Sequence, residues 1–560
     1  MTTLRMQTIS VNYFLRFLRS RWAVISLLLL GMAVRLVFGS LPRMSRWDEA
    51  SYLMIGRNLL AGNGYRELIG GFDVHQPPMV AFLSAAGLAL GLPLNWAAAL
   101  PSHVLLGALV VIPLYALGTA IYGRRAGLLA ACLGAFYPAL AVNPLYWGSM
   151  TEPVFMLEML TGLYATYRTG VSLTRGKVPW GWSLLTGSAF GLGYLTRPES
   201  LVFALVLLAY LILLALRGWR VRLIPTLLAG VVIVATIVLV AAPYVRYLHQ
   251  VTGHWTLSGK AGTGMDISWA LVNDSQPMHD QAAAALDSTG EEIMWLSHEG
   301  LTVSVSDWVK ADPQRFLTLI RRNLRATVDV LFSRDLFNLG LAALTCLGLF
   351  SHAWQRRQWR GQLLLLLGLM PIASLWIVFI ESRLLVIYIA ISLVWAGAGL
   401  AQLTRWAADT LPRWRLLAAA LPVTLVVAWM LWQGINVARE QIPTQPFYRL
   451  EAARWLAENT PPGAPIMTRN AETPLYAGRP MVGFPRADWP QVLHYAQKHG
   501  ARYLVVDEWE ATAVRPQLGW LLALQPGQAR DGITERTRIS HPGRDILIFE
   551  LTPDSASLAK

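Results

Sequence analysis

Long apolar runs alternate with short polar segments along most of the 560-residue chain. A membrane-spanning helix needs roughly 17 to 25 predominantly apolar residues. Length and flanking charge predict spans at residues 22–39, 99–121, 127–143, 150–168, 181–196, 200–216, 223–243, 335–351, 363–380, 383–401 and 416–435. The pattern therefore predicts a polytopic α-helical membrane protein with eleven crossings. Thirteen is the alternative, because counting the run 79–94 would move the C-terminus to the cytoplasm unless another span is added.

One set of the connecting segments is rich in basic residues and almost free of acids. These segments hold eighteen Lys and Arg and a single acid, Asp409, and comprise residues 1–21, 122–126, 168–177, 217–222, 352–362 and 405–415. Such an excess of positive charge marks cytoplasmic segments. The N-terminus is therefore predicted to be cytoplasmic, and the net charge of +14 does not indicate nucleic-acid binding. The first run follows four arginines and no small-residue cleavage site succeeds it, so it reads as a retained helix.

The remaining segments lie outside under this topology and differ in composition. Residues 1–435 form the predicted transmembrane domain, with outer loops 40–78 and 244–333, and residues 436–560 form an extracytoplasmic α/β domain. Residues 266–312 carry nine acids and one lysine, unlike any cytoplasmic segment. Periodicity in the tail predicts helices at 447–459 and 489–499 and strands at 464–468, 502–507 and 545–551.

Two absences narrow the function classes. Only Cys132 and Cys346 are present, both inside apolar runs, which excludes a disulfide framework and a zinc cluster of cysteines. No internal repeat is evident, so an inverted-repeat transporter gains no support.

The stretch after the first span carries the most informative carboxylates. Tyr52, Ile55 and Leu59 recur at helical spacing and predict an amphipathic helix along the outer membrane surface. Asp48 and Glu49 fall in its first turn, where acids also favour a helix start through capping and the macrodipole. Structural and functional interpretations of this pair both stay open.

Ionisable residues inside or at the rim of apolar runs are the second signal, since each costs roughly 2.5–3.5 kcal/mol at mid-membrane. They are Arg35, Glu152, Glu158, Arg197, Glu199, Glu381 and Arg383. All except Arg35 and Glu158 fall at outer helix ends, where snorkelling explains any single one. Their convergence on one side favours a polar, anionic ligand there. Glu158 lies deeper and could pair with another helix, and Arg35 could pair with a carbonyl or a carboxylate.

Taken in order, these motifs resemble the GT-C superfamily of polyprenyl-phosphate-sugar-dependent glycosyltransferases, in its protein O-mannosyltransferase and ArnT-like branch. The matching segments are Arg35, Asp48-Glu49, His75-Gln76-Pro77-Pro78, Thr151-Glu152-Pro153, Tyr194 to Glu199 and Glu381-Ser382-Arg383. The resemblance covers roughly residues 20–400, and the outer α/β tail also fits. It implies the GT-C fold with about 11–13 transmembrane helices.

The resemblance also implies roles for individual residues. Asp48 matches the family's catalytic base, and one carboxylate suffices because a lipid phosphate leaves without a general acid. Glu49 and Glu152 match the region of the acceptor or a metal. Arg383 first, Arg197 second and His75 third are expected to bind the donor's phosphate. ArnT-like transferases place Lys directly before the Pro pair, where this chain has Gln76, so no specific sugar or acceptor carries over.

The resulting hypothesis is an inverting transferase that moves a sugar from a polyprenyl-phosphate donor to a hydroxyl of a protein, lipid or glycan. The reaction is expected on the outer face of the inner or plasma membrane. No cofactor is indicated with certainty, although two carboxylates, Asp48 and Glu152, and a histidine could hold a divalent metal ion. The alternatives are a transporter or flippase of a lipid-linked sugar and a noncatalytic assembly or sensor protein that acts through its outer tail.

Overall fold

A computed structural model describes residues 22–148, 150–216, 219–259, 283–297, 309–352, 358–542 and 544–552, together with residues 268, 280 and 299. The basic segment 1–21 and most of the acidic stretch 266–312 lie outside the described residues. The predictions made for these residues are therefore not compared with the structure.

The N-terminal three quarters of the described chain are helical. In chain order the helices are α1 (Trp22–Gly39), α2 (Asp48–Leu60), α3 (Pro78–Ala89), α4 (Leu94–Tyr122), α5 (Arg124–Phe136), α6 (Thr151–Leu173), α7 (Trp180–Thr196), α8 (Ser200–Leu216), α9 (Trp219–Thr252), α10 (Pro313–Leu331), α11 (Leu339–His352), α12 (Trp359–Ile377), α13 (Ser382–Thr410) and α14 (Arg415–Gln441). Within the described residues, α1, α4, α9, α12, α13 and α14 are long and apolar enough to cross a membrane. The prediction of a polytopic helical membrane protein is confirmed.

The run 79–94, ambiguous in sequence, is represented by α3. Its 12 residues rise about 18 Å at 1.5 Å per residue, against a hydrocarbon core of roughly 30 Å. The helix is therefore too short to cross the membrane unaided.

The predicted span 127–143 is interrupted, in contrast to its neighbours. Helix α5 ends at Phe136 because Tyr137 precedes Pro138 and adopts an extended conformation. The buried Arg35 guanidinium donates to the carbonyls of Gly134 at 3.4 Å and Leu140 at 3.2 Å, on either side of this break. Carbonyls freed by the interruption are thus the partners of Arg35, one of its two predicted alternatives.

Helix α2 forms as predicted, but it does not present a polar face to water. Every residue from Glu49 to Gly56 is buried. One side of the helix packs on α3, and Leu53 and Ile55 share a hydrophobic core with residues of the C-terminal domain such as Met467 and Val482. The expectation of an amphipathic surface helix is therefore wrong, because the domain covers the side assigned to solvent.

The C-terminal domain contains a six-stranded mixed sheet. Its strands are β1 (Ile466–Thr468), β2 (Met481–Gly483), β3 (Tyr503–Asp507), β4 (Ala529–Arg530), β5 (Ile533–Ile539) and β6 (Ile546–Leu551), in the order β2-β1-β3-β6-β5-β4. Strands β1, β2 and β3 are parallel and the others pair antiparallel. The helices of the domain are α15 (Tyr448–Asn459), α16 (Glu472–Ala477) and α17 (Trp489–Lys498).

The α/β character predicted for the tail is confirmed. Three predicted strands and two predicted helices form within two residues of their expected ends, whereas β2, β4, β5 and α16 were not predicted. Helix α14 runs to Gln441, six residues beyond the predicted domain boundary at 435.

Candidate active site

An open cleft with about 950 Å³ of empty space lies between residues of segments 40–78 and 244–333, the predicted first and second outer loops, and residues of the C-terminal domain. The first outer loop contributes Asp48, Glu67 and Gln76, and the second contributes Trp295. Across from them lie residues that directly follow β1 and β2, such as Arg469 and Phe484. The carboxyl ends of parallel strands commonly form binding crevices, so the cleft has the location expected of a ligand site.

Asp48 is the first residue of α2 and lines this cleft. Its Oδ2 lies 2.6 Å from Nη1 of Arg383, at the start of α13. Residues 335 positions apart in the sequence are therefore joined in one ion pair, and both side chains remain partly exposed.

The backbone that presents Asp48 is strained. Trp47 has φ 55° and ψ −134°, a conformation that costs a non-glycine residue about 1–3 kcal/mol. Two contacts hold it: Trp47 N donates to Glu472 Oε1 at 3.2 Å, and Glu49 N donates to the Gly148 carbonyl at 2.9 Å. Gly148 itself has φ +71°, and a Cβ there would lie 2.8 Å from Trp47 and Arg46. The position of Asp48 is thus fixed from two sides.

A second arginine lies beside the Asp48–Arg383 pair. Arg197 Nη2 is 2.9 Å from Glu199 Oε1, and its Nη1 is 3.8 Å from Glu152 Oε1. Arg383 Nε is 2.6 Å from Glu381 Oε2 and also feels the charge of Glu152, while the two arginines repel each other. We call the set the membrane-side cluster; it comprises Asp48, Glu152, Arg197, Glu199, Glu381 and Arg383. The structure therefore brings together five of the helix-end residues singled out in the sequence.

Asp48 belongs both to the cleft and to the membrane-side cluster. The cluster offers two guanidinium groups at the ends of apolar helices, where a lipid phosphate would lie. The cleft offers a polar, water-accessible space. A carboxylate between the two can accept a proton from a group in the cleft that attacks a lipid-linked centre beside Arg383.

Glu49 faces away from the cleft. Its carboxylate is 1% exposed and forms an ion pair with Arg43, whose Nη1 also donates to the Leu145 carbonyl at 2.6 Å. Burial raises the pKa of Glu49, and the charge of Arg43 opposes that rise. The structure does not bring Glu49 to the predicted acceptor region; its contacts anchor the segment before α2.

His75 is buried beneath the second outer loop. Its ring stacks on Trp295 with centroids 3.8 Å apart, and Asp73 Oδ1 accepts the backbone N–H groups of His75 and Gln76 at 3.0 and 2.7 Å. This turn leads into Pro77-Pro78 and α3. Among the described contacts, none links His75 to Arg197 or Arg383.

Glu158 is separate from the site, as the sequence allowed. Its Oε1 accepts from Thr196 Oγ1 at 3.0 Å, so the carboxyl pairs with the neighbouring helix α7.

The first outer loop also supplies Glu67, which the sequence analysis missed. Glu67 Oε1 accepts from Ser51 Oγ at 2.6 Å, and both line the cleft with Asp48. Burial, reinforced by the charge of Asp73, raises the pKa of Glu67 to about 8. The cleft is therefore also lined by a carboxyl group whose pKa is raised.

The opposite side of the cleft is formed by a second charged group, which we call the wall cluster: Asp280, Arg469, Glu510 and Arg515. Arg469 Nε and Nη2 each lie 2.9 Å from the carboxylate of Asp280. Arg515 Nη1 lies 3.0 Å from Asp280 and 2.9 Å from Glu510. The Arg-Asn pair that follows β1 was the available sequence signal, because polar residues at the end of a parallel strand indicate a site.

A metal-binding set of side chains is not formed by the described residues. In the part of the chain that the structure describes, no three His, Cys, Asp or Glu side chains lie close enough together to hold an ion. Asp48 and Glu152 are the carboxylates of the membrane-side cluster that were predicted near such an ion.

Residues 75–243 match the family profile described as dolichyl-phosphate-mannose-protein mannosyltransferase. The match includes His75, Glu152 and Arg197 and leaves Asp48 and Arg383 outside it. No curated protein matches the sequence.

Solved structures match over nearly the whole chain. ArnT from Cupriavidus metallidurans bound to undecaprenyl phosphate superposes with a TM-score of 0.56 and 14% identity, covering 96% of this chain and 99% of that one. Apo ArnT gives a TM-score of 0.54 at 14% identity, over 94% and 97%. The Archaeoglobus fulgidus oligosaccharyltransferase tethered to an acceptor peptide gives a TM-score of 0.57 at 14% identity, over 91% of this chain and 72% of that chain.

The fold is thus that of the GT-C superfamily, which includes ArnT and this oligosaccharyltransferase. The predicted resemblance to that superfamily is confirmed. At 14% identity these structures show the fold, and the profile over residues 75–243 is a separate match of the sequence.

Proposed function

We propose that this protein is an inverting glycosyltransferase that moves a sugar from a polyprenyl-phosphate donor to an acceptor hydroxyl. The observation that carries the proposal is the position of Asp48, which lines the cleft and pairs with Arg383 at 2.6 Å. A base for the acceptor and a cation for the leaving phosphate are therefore adjacent. The undecaprenyl phosphate bound to ArnT supports a lipid-phosphate donor.

In the proposed reaction the acceptor hydroxyl gives its proton to the Asp48 carboxylate. Its oxygen then forms a bond to the anomeric carbon while the bond from that carbon to the phosphate oxygen breaks. Attack opposite the leaving group inverts the anomeric configuration. The polyprenyl phosphate departs as an anion, so the reaction needs cations where that charge grows rather than a general acid.

Arg383 has a double role in this scheme. Its described bonds use Nε for Glu381 and Nη1 for Asp48, whereas a guanidinium has five N–H donors in a fixed fork. A donor phosphate that engages this fork competes with Asp48 for Arg383. Weakening that ion pair makes the carboxylate a better base, so donor binding would prepare Asp48 for proton transfer.

Arg197 is the second cation for the phosphate. It is held by Glu199 and Glu152 at the end of α7, and its guanidinium lies 5.3 Å from the Phe155 ring. His75 is the weakest of the three proposed donor contacts, since it stacks on Trp295 instead.

The acceptor is proposed to enter the cleft from the aqueous side, with the donor in the outer leaflet. This arrangement places α2 and the C-terminal domain outside the cytoplasm, in agreement with the distribution of basic segments. The peptide held by the related oligosaccharyltransferase makes a peptide one candidate acceptor, beside a lipid or a glycan.

A divalent metal ion is proposed as an optional partner of this chemistry. Asp48 and Glu152 would hold it, and it would neutralise the donor phosphate. The reaction described above does not require a metal ion. Chelation followed by controlled metal addition during the transfer assay therefore tests separately whether transfer depends on one.

The experiment is incubation of the purified protein with a panel of polyprenyl-phosphate sugars and hydroxyl-bearing acceptors. We expect donor consumption, a product of inverted anomeric configuration and loss of both with Asp48→Asn. Retained configuration, or full transfer by a correctly folded Asp48→Asn variant, would rule out the proposed mechanism. Proteoliposomes that flip the intact donor without transfer would instead favour a flippase.

A further inference from the structure

Helix α10 carries an exposed apolar stripe. Leu317, Leu324 and Val328 are 53%, 44% and 51% exposed and lie within about 20° of one line along the helix, given 100° per residue. Phe332, directly after the helix, is also exposed. A different face, formed by Leu319, Asn323 and Thr327, is buried against the rest of the protein. The stripe is therefore not part of the face by which the helix packs against the protein.

Arginines border this stripe on the side away from the protein. Arg321 and Arg325 are exposed and lie about 40° and 80° around the helix from Leu317. Within the described chain, no carboxylate forms an ion pair with either of them. Arg315 and Arg322 add further positive charge to the same helix, against a single acid, Asp329. An apolar stripe edged by arginines is typical of a helix that lies in a membrane interface.

The path of the chain places α10 at a membrane boundary. Seven residues separate its last residue, Leu331, from the start of the apolar helix α11 at Leu339. Five charged residues within 19 also exclude α10 itself from the helices apolar enough to span. α10 is therefore a charged helix joined by a short connection to the apolar helix α11.

The buried face of α10 holds the segment that leads to Arg383. Asn323 Nδ2 donates to the carbonyls of Trp376 at 2.8 Å and Val378 at 3.1 Å. Trp376 Nε1 donates to Thr327 Oγ1 at 3.2 Å. Val378 ends the last turn of α12 and precedes Arg383 by five residues. A shift of α10 would therefore be transmitted to the arginine that pairs with Asp48.

We propose that α10 is an interfacial helix that binds anionic lipid headgroups through Arg321 and Arg325 while its apolar stripe enters the acyl region. Charge complementarity selects this occupant, because anionic headgroups and acyl chains match arginines and an apolar stripe side by side. Each arginine near an anionic surface contributes about 1 kcal/mol, a preference of roughly fivefold. Because Asn323 and Thr327 bond to Trp376 and Val378, the depth of α10 in the leaflet would set the position of segment 376–383 relative to the membrane surface. This last step rests on the proposed function, whereas lipid binding does not.

The test places a bimane label on the stripe at Leu324→Cys and on the polar side at Thr318→Cys, both in a Cys346→Ser background. The protein is reconstituted in nanodiscs of phosphatidylcholine alone or with about one third phosphatidylglycerol. Quenching by 5-doxyl lipid reports contact with the bilayer, and quenching by acrylamide reports contact with water. Leu324→Cys should be quenched by the lipid and protected from acrylamide, and Thr318→Cys should give the reverse.

Headgroup selectivity is measured with the same label. Doxyl-phosphatidylglycerol should quench Leu324→Cys several-fold more strongly than doxyl-phosphatidylcholine, and Arg321→Gln/Arg325→Gln should remove that difference. Arg530→Gln/Arg536→Gln, two exposed arginines of the sheet domain, is the control and should preserve it. Protection of Leu324→Cys from both quenchers would mean that a second protein copy covers the stripe, and equal quenching by both lipids would mean no headgroup selectivity. Either result overturns the proposal.

Activity supplies an independent arm. If the protein is the proposed transferase, adding phosphatidylglycerol should raise its transfer rate, and the Arg321→Gln/Arg325→Gln variant should lose that increase. Failure of transfer in every lipid would count against the proposed function and leave the quenching result decisive for α10. Transfer that is independent of phosphatidylglycerol would overturn the link from α10 to Arg383.

Discussion

The cleft lies between two charged clusters. Their ion-pair distances are similar, but the burial of their side chains and the hydrogen-bond partners of their arginines differ. In the wall cluster, Arg515 is fully buried, and its guanidinium also donates to the carbonyls of Phe484 at 2.7 Å and Pro485 at 3.3 Å. In the membrane-side cluster, Asp48 is 28% exposed, Arg383 is 20% exposed, and Arg383 donates only to carboxylates among the described residues.

This difference distinguishes a charged cluster that stabilises the fold from one in which a ligand can replace a protein group. A buried charge is tolerated only when protein groups replace its water, and removing one partner leaves the other unsolvated. The wall cluster meets that condition and joins the second outer loop to the C-terminal domain through Asp280. The membrane-side cluster is open enough for a ligand phosphate to replace a carboxylate. The same side-chain types therefore stabilise the fold on one side and, under the proposed function, take part in the reaction on the other.

Asp48→Asn should produce the largest effect on activity. Loss of a general base lowers rates by about 10²–10⁴-fold, and Asn cannot accept the acceptor's proton. Its effect on the free energy of unfolding should be below about 1 kcal/mol, because a partly exposed pair contributes little. The measurements are transfer rate and thermal unfolding in detergent.

Glu49→Gln is the matched control, one residue further along α2. Glu49 pairs with Arg43 in a buried site, so this change should lower thermal stability far more than Asp48→Asn does. If Glu49→Gln abolished transfer in a protein of normal stability, Glu49 would act in the reaction rather than anchor the helix.

Arg515→Met should show the opposite pattern. It removes the partner of Glu510 where both side chains are buried, at a cost of about 3–5 kcal/mol in stability. Transfer measured well below the melting temperature should stay within about threefold of the unmodified protein. The double variant Arg515→Met/Glu510→Gln should recover part of the lost stability, since no carboxylate remains unpaired. A double variant no more stable than the single one would contradict the structural role.

Within the membrane-side cluster, Arg383 should matter more than Arg197. Arg383→Gln should lower transfer by about 10²-fold, as for loss of one group that stabilises a developing anion. Arg197→Gln should cost about tenfold, because Arg197 lies beyond Glu152 rather than against Asp48. Steady-state kinetics with varied donor concentration measures both variants. Equal losses would mean that the phosphate bridges the two guanidiniums symmetrically.

The sequence predicted the membrane-side cluster well and the wall cluster not at all. Charged residues at the ends of apolar helices are conspicuous in a sequence because lipid excludes charge. Arg197, Glu199 and Arg383 could therefore be identified before the fold was known. Arg469 and Arg515 belong to a domain where charged residues are ordinary. Their role depends on strand order and on contact with Asp280, and neither follows from local pattern.

Helix α2 illustrates the same limit within one element. Spacing of Tyr52, Ile55 and Leu59 predicted a helix correctly, because periodicity is a local property. The solvent exposure assigned to it was wrong, because α16, more than 400 residues away in the sequence, packs against the helix. Local pattern identifies an element, and only tertiary contacts decide which of its faces are buried.

Glu67 offers an effect on the pH dependence of stability, and it tests whether the cleft excludes water near Ser51. Its pKa rises to about 8 in the folded protein, so folding takes up a proton between the ordinary carboxyl pKa near 4.5 and about 8. The stabilising protonated state is fully present below that range, and the free energy of unfolding falls as pH rises through it, by at most about 1.4 kcal/mol per pH unit. Glu67→Gln removes this term, so its melting temperature should exceed that of the unmodified protein by an amount that grows from pH 5 to pH 8. Glu451→Gln, at an exposed position on α15, should follow the unmodified protein throughout. If the melting temperatures of all three proteins changed in parallel with pH, Glu67 would be hydrated and ionised. Water would then reach Glu67 as it reaches the partly exposed membrane-side cluster.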